Sequence, residues 1–234
     1  MGVNETKSNN HMIKAGISLA LGVLVVLWRV VLPRSVDITV SIVIMTAALD
    51  IILTAALIFI NRKELKDAVV RKFRIKDFLK IILGFILLYI VIQQLFSFLI
   101  QPLLLHINDM PITFEAVFNR SYTSVSYAAW VASEYAVIFP LGIIVSAILA
   151  SVWEEIAFRM AGRNLIKNSV LYVLITSLLF GFIHTASFFT LSILWYFVVG
   201  VVLSIIYLRT KDLRLVIGIH FLNNFIAVLA MTLG

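Results

Sequence analysis

Long apolar stretches separated by short polar segments dominate the pattern of hydrophobic and polar positions along this chain. They lie at residues 12–32, 38–60, 81–104, 128–158, 169–189, 191–208 and 213–233. A helix of about 20 apolar residues crosses the hydrocarbon core of a bilayer. The pattern therefore predicts an all-α polytopic transmembrane bundle of about seven membrane-spanning helices.

The polar segments between these stretches predict how the chain is organised. Residues 61–80 are strongly basic and predict a surface helix on an anionic leaflet, and residues 105–126 predict a polar loop. Because no linker or repeat interrupts the pattern, we expect one transmembrane domain over residues 1–234. Within it, 1–127 would hold the N-terminal spans and the basic segment, and 128–234 a motif-bearing core.

Composition and charge support a bilayer environment and predict the orientation of the chain. Hydrophobic residues make up 62% of the sequence and charged residues 13%, whereas soluble domains are about 45–50% apolar. With the N-terminus in the cytoplasm and the C-terminus outside, sixteen of the nineteen Lys and Arg residues fall on the cytoplasmic side, as the positive-inside rule requires. The net charge of +7 therefore does not indicate a nucleic-acid partner. The absence of cysteine excludes disulfides, thiolate metal sites and a Cys nucleophile.

Ionisable residues within the apolar stretches are the candidate functional residues, because burying them in a bilayer is costly. For Asp50 we expect a structural pairing with Arg29, and for Glu134 an interfacial position near the outer end of its helix. The remaining polar residues lie on three helices of the C-terminal half, and they are Glu154, Glu155, His184, His220 and Asn224.

The depths of these residues can be estimated from the cytoplasmic basic residues and a helical rise of about 1.5 Å per residue. Glu154 lies about 13 Å deep, His220 and Asn224 about 9 and 15 Å, and His184 about 20–25 Å. Three helices are thus expected to bring a carboxylate, an imidazole and an amide to a similar depth below the cytoplasmic face.

Helical spacing divides the roles of these side chains. His220 and Asn224 are four residues apart and share a helix face. Glu155 and Arg159 have the same spacing, which favours an ion pair. Glu154 is rotated by about 100° from Glu155 and faces a different neighbour. We therefore assign Glu155 to structure and Glu154 to chemistry.

Three motifs, each on a different helix of the C-terminal half, resemble those of the CPBP family, the CAAX-protease-like and bacteriocin-processing or immunity-related membrane proteins also called the Abi family. The resemblance covers about residues 130–234. Its motifs are Glu154-Glu155-x-x-x-Arg159, Phe180-x-x-x-His184 and His220-x-x-x-Asn224.

The resemblance implies an intramembrane endopeptidase that acts on a membrane-associated peptide or protein through a cavity open to the cytoplasmic side. It implies that Glu154 is the general base that activates a water molecule. His184 would hold or polarise that water, and His220 and Asn224 would stabilise the tetrahedral oxyanion.

The resemblance assigns supporting roles to Glu155 and Arg159, which would keep Glu154 correctly aimed. It also raises the question of zinc, for which Glu154, His184 and His220 would be the ligands. Because the chain has no His-Glu-x-x-His helix and each candidate ligand comes from a separate helix, a metal-free site without a cofactor is favoured.

Two other classes of function compete with the enzyme. One is a non-enzymatic bacteriocin-immunity or membrane scaffold protein that keeps the family fold and binds a peptide or partner. The other is a proton-coupled transporter, which would also bury Glu and His. The intact motif positions favour the enzyme. The lack of matching broken spans in two halves of the chain disfavours the transporter.

Overall fold

The computed structural model of the protein describes residues 9–24, 40–69, 73–95, 97–98, 144–185 and 192–233. No strand occurs among these residues, so the predicted all-α fold is confirmed for this part of the chain. The helices, labelled in chain order, are α1 (residues 9–24), α2 (Val40–Ile60), α3 (Arg62–Val69), α4 (Ile75–Leu95), α5 (residues 144–165), α6 (Ser169–Thr185), α7 (Ser192–Thr210) and α8 (Leu213–Leu233).

The start of α4 and the end of α5 differ from the predicted boundaries, each for a local reason. Helix α4 begins at Ile75, not 81, because the buried Asp77 carboxylate accepts a hydrogen bond from the backbone N–H of Arg74 at 3.0 Å. Helix α5 continues to Leu165, beyond the predicted end at 158, because Arg159 is buried inside the bundle and does not mark its surface.

Helix α5 is one unbroken helix that contains two π-helical stretches. Ile144–Leu149 and Glu155–Ala161 are π-helical, whereas Ala150–Glu154 and Gly162–Leu165 are α-helical. Such wider turns are rare, and they occur frequently at functional sites. The second stretch begins at Glu155, so it changes the direction of the side chains that follow the adjacent glutamates.

Side chains from α2 and from α4 to α8 form one hydrophobic core among the described residues. Its fully buried members include Trp153, Phe158 and Leu203. Large apolar side chains also lie on the outer faces of the helices, where Leu83 is 69% exposed and Val170 67%. A soluble protein rarely exposes so much apolar surface, whereas lipid would cover it.

Helices α6 and α7 pack closely because small residues lie between them. A methyl group on Gly200 of α7 would come within 2.9 Å of the Ser177 Cα on α6. A methyl group on Gly181 would come within 3.0 Å of the Ile193 carbonyl oxygen on α7. Close approach through small residues is typical of helix pairs in membranes. It places the first turns of α7 against the end of α6.

Among the described helices, Ile193–Thr210 is the one segment whose length and composition suffice to cross a membrane. Shorter apolar helical segments lie at Ala47–Ile60, Ser169–Phe182 and Leu213–Ala227. The seven spans, their orientation and the single domain therefore stay predictions. Asp50 is fully buried in α2, while Arg29, Glu134 and the loop 105–126 lie outside the described residues.

Candidate active site

Glu154 of α5 lies between two histidines that come from different helices. Its Oε2 atom is 3.5 Å from Nε2 of His184 on α6 and 3.8 Å from Nε2 of His220 on α8. The Glu154 and His220 side chains are 3% and 2% exposed, and that of His184 is 14% exposed. The structure thus brings three of the four predicted catalytic residues together in a site that is almost closed.

Glu155 lies next to Glu154 in sequence but contacts a different set of atoms. Its Oε1 is 2.9 Å from Nδ1 of His220, and its Oε2 is 3.1 Å from Nε of Arg159. All three side chains are buried, with Glu155 and Arg159 at 0% exposure. Glu155 and Arg159 form an ion pair, but the geometry of the contact is not that of a hydrogen bond. Glu155 therefore contacts both Arg159, its predicted ion-pair partner, and His220, a predicted oxyanion residue.

The Arg159 guanidinium is enclosed by aromatic and acidic neighbours. Its Cζ lies 4.8 Å from the centre of the Phe180 ring, within the range of a cation–π contact. Within the described part of the chain, its Nη1 and Nη2 atoms have no hydrogen-bond partner. Among the described residues, Glu155 is thus the one carboxylate that pairs with the buried Arg159 charge.

Phe180 occupies a central position among the site residues. Its ring centre lies 4.4 Å from that of His184 and 5.6 Å from that of His220. Its backbone carbonyl oxygen is also 2.7 Å from Nδ1 of His184. Phe180 therefore contacts both histidines, and its carbonyl oxygen holds the Nδ1 atom of His184 on the same helix.

The hydrogen bonds at the two Nδ1 atoms indicate the tautomer of each histidine. The Phe180 carbonyl oxygen and the Glu155 carboxylate can only accept, so Nδ1 of His184 and Nδ1 of His220 donate. In a neutral imidazole the other nitrogen, Nε2, then carries the lone pair. Both Nε2 atoms face Oε2 of Glu154.

Three acceptor atoms therefore converge in the site when both imidazoles are neutral. The distances from Glu154 Oε2 to Nε2 of His184 and Nε2 of His220 are 3.5 and 3.8 Å. Both exceed the range of about 2.7–3.2 Å for a direct N–H···O hydrogen bond. Converging acceptors repel one another unless a donor lies between them. The arrangement suits a water molecule that donates both of its hydrogens, or a proton bound by one of the three groups.

Asn224 follows His220 by one turn on α8, as the spacing predicts. It is half-buried, and its Oδ1 accepts a long hydrogen bond of 3.4 Å from Nδ2 of Asn223. The shared helix places Asn224 next to His220 along α8. Its part in an oxyanion site stays a prediction.

A preformed metal site is not found among the described residues, where no group of three or more His, Cys, Asp or Glu side chains has the necessary geometry. In a tetrahedral zinc site with bonds of about 2.0–2.1 Å, neighbouring ligand atoms lie ~3.3 Å apart. The distances from Glu154 Oε2 to Nε2 of His184 and Nε2 of His220, 3.5 and 3.8 Å, are longer than this. The metal-free site stays a prediction.

Two features of the site were not predicted from the sequence. Tyr196 of α7 stacks on the His184 ring with centres 4.4 Å apart and planes at 20°. It is one of four aromatic residues in α7, and no sequence signal distinguishes it from the other three. The contact between Glu155 and His220 was also missed, although two buried polar groups at similar predicted depth could have indicated it.

The comparison with known protein families agrees with the motifs. Residues 136–226 match the family model described as Type II CAAX prenyl endopeptidase Rce1-like. The matched range contains Glu154, His184, His220 and Asn224, and the predicted resemblance to CPBP family CAAX proteases is confirmed over this range. No significant match was found among curated proteins or among solved structures.

Proposed function

We propose that this protein is a CAAX-protease-like membrane endopeptidase that hydrolyses a peptide bond in a membrane-associated peptide or protein. The family match over residues 136–226 supports a protease. The observation that carries the mechanism is the convergence of Glu154 Oε2 with the acceptor nitrogens of His184 and His220.

In the proposed mechanism, Glu154 and His184 hold the attacking water. The water donates one hydrogen to the Glu154 carboxylate and the other to Nε2 of His184, which leaves a lone pair for the substrate carbonyl carbon. As the C–O bond forms, Glu154 takes the water proton as general base. It then returns this proton to the leaving amine nitrogen when the C–N bond breaks.

His220 and Asn224 are proposed to stabilise the oxyanion that forms on the substrate carbonyl. Donation from Nε2 of His220 requires the doubly protonated ring, because Nδ1 already donates to Glu155. The Asn224 amide would supply a second donor from the same helix. Buried donors of this kind contribute strongly because water does not screen them.

The membrane arrangement forms part of the proposal. The outward-facing apolar side chains and the apolar segment Ile193–Thr210 support a bilayer location. We propose about seven spans, with the N-terminus in the cytoplasm and the basic segment 61–80 on the same side. The substrate would then be cleaved within or next to the membrane.

The direct test is Glu154→Gln, which keeps the shape of the side chain but removes its ability to accept a proton. Membrane-peptide proteomes of cells that carry the intact protein and the variant should differ in specific cleavage products. Those products should fall about 100-fold or more, because general base catalysis contributes about 10²–10⁴-fold. Membrane abundance should not change.

Glu64→Gln is the matched control, because Glu64 is a partly buried carboxylate on α3 that pairs with His11 and is not one of the site residues. It should leave the products unchanged. Identical products from intact protein and Glu154→Gln would refute the proposal. The non-enzymatic immunity or scaffold function would then replace it.

A further inference from the structure

The imidazole of His184 has aromatic neighbours from two helices. Tyr196 of α7 stacks on it with centres 4.4 Å apart and an interplanar angle of 20°. Phe180 of α6 contacts it with centres also 4.4 Å apart and planes at 40°. Nδ1 is held at 2.7 Å from the Phe180 carbonyl oxygen. The ring is therefore constrained both at one nitrogen and over its surface.

The two aromatic rings contact His184 from different sides. The centres of Phe180 and Tyr196 are 6.5 Å apart. With sides of 4.4, 4.4 and 6.5 Å, the triangle has an angle of about 95° at His184. The Phe180 ring is tilted by 40° from the imidazole plane and does not lie flat on it. Tyr196 supplies the nearly parallel contact that limits rotation of the imidazole about χ2.

This support matters because His184 is the most exposed of the three converging residues, Glu154, His184 and His220. Its side chain is 14% exposed, compared with 3% for Glu154 and 2% for His220. Core packing encloses the other two, whereas His184 lies near the end of α6. The approach of α7 through Gly181 brings Tyr196 to this end of the helix.

We propose that Tyr196 is a positioning residue, whose ring holds the His184 imidazole so that Nε2 faces Glu154. This inference rests on the proposed function of the site. The aromatic face performs the role, and the phenolic hydroxyl is not required. Loss of the face would let the ring rotate and move Nε2 away from the water. A misplacement of about 1 Å in a catalytic group can cost about 100-fold in rate.

The first experiment measures the ring contact without any substrate. The sequence contains four histidines, so the spectrum of protein labelled at His side chains is simple. The His184 signals can be assigned by their loss in His184→Gln. In intact protein they should show the upfield ring-current shift of a stacked ring. Tyr196→Phe should keep this shift, and Tyr196→Leu should reduce it to the part that the Phe180 ring contributes.

The second experiment measures cleavage of a substrate identified by the proteome comparison. Tyr196→Leu should lower kcat about 10-fold to 100-fold with KM nearly unchanged, because the substrate still binds while the water is misplaced. Tyr196→Phe should stay within about twofold of the intact protein. Leu203→Ala is the control, since it removes a fully buried side chain two turns further along α7. It should lower thermal stability but not kcat.

The outcomes separate the two claims. A Tyr196→Leu variant with normal kcat or an unchanged His184 shift would overturn the positioning role alone. Equal losses in Tyr196→Phe and Tyr196→Leu would overturn it as well, because the hydroxyl would then be responsible. If intact protein cleaves nothing, the proposed function fails and the positioning role fails with it, even where the ring-current shift is present.

Discussion

Replacing Glu155 by Gln should destabilise the protein through the charge it leaves behind. Glu155 is fully buried between Arg159 and His220. Glutamine has nearly the same shape, and its carbonyl oxygen can still accept the hydrogen bond from Nδ1 of His220. The change therefore removes the negative charge beside Arg159 while keeping the acceptor that orients the imidazole.

The size of the effect follows from the surroundings of Arg159. Its side chain is 0% exposed, and its Nη1 and Nη2 atoms find no hydrogen-bond partner within the described ranges. The Phe180 ring offsets only part of the charge. Breaking a buried ion pair by removing one partner costs about 3–5 kcal/mol. For a protein of this length, about 2–4 °C per kcal/mol gives a fall of roughly 6–20 °C in Tm.

Thermal unfolding in detergent measures this effect, with Glu154→Gln as the matched control. Glu154→Gln should keep the Tm, since it leaves the pair of Glu155 and Arg159 intact. Arg159→Met should be as unstable as Glu155→Gln, and the double variant should lose less than the sum of the two. Equal Tm values for Glu155→Gln and Glu154→Gln, or additive losses in the double variant, would show that the two residues are not paired.

Three further predictions concern helix packing, metal dependence and topology. Gly200→Ala should lower stability by about 1–3 kcal/mol in thermal unfolding, because its methyl group overlaps Ser177; Gly16→Ala, with nothing within 4 Å, should have no such cost. Cleavage should persist in EDTA or 1,10-phenanthroline if the site is metal-free, whereas loss that zinc restores would show that a metal is used. Reporter fusions at residues 70 and 120 should label opposite sides of the membrane, and labelling of one side would contradict the predicted spans.

The helical character and the approximate helix positions were accessible from the sequence. Apolar length and the spacing of charged residues placed α6, α7 and α8 within a few residues of their observed limits. The order of the three motifs and their depth along the helices indicated which helices meet. Both kinds of signal depend on position along a helix axis, which a sequence records directly.

The contacts around the site were less accessible because they depend on rotation of each helix about its axis. A sequence gives the angle between Glu154 and Glu155 but not the neighbour that either one faces. The π-helical stretch Glu155–Ala161 changes that angle further, and nothing in the residue pattern marks it. For the same reason Tyr196 could not be distinguished from other aromatic residues of its helix.

The charge balance of the site supports the chemistry proposed for the two adjacent glutamates. Glu154, Glu155 and Arg159 together carry one net negative charge when His184 and His220 are neutral. Net charge is costly in a site with little access to water, so the ion pair between Glu155 and Arg159 lowers the cost of burying two adjacent carboxylates. Because Arg159 pairs with Glu155, Glu154 is the carboxylate that faces the two Nε2 atoms. This division suits the proposed general base, because Glu154 must accept a proton from water and return it to the leaving amine.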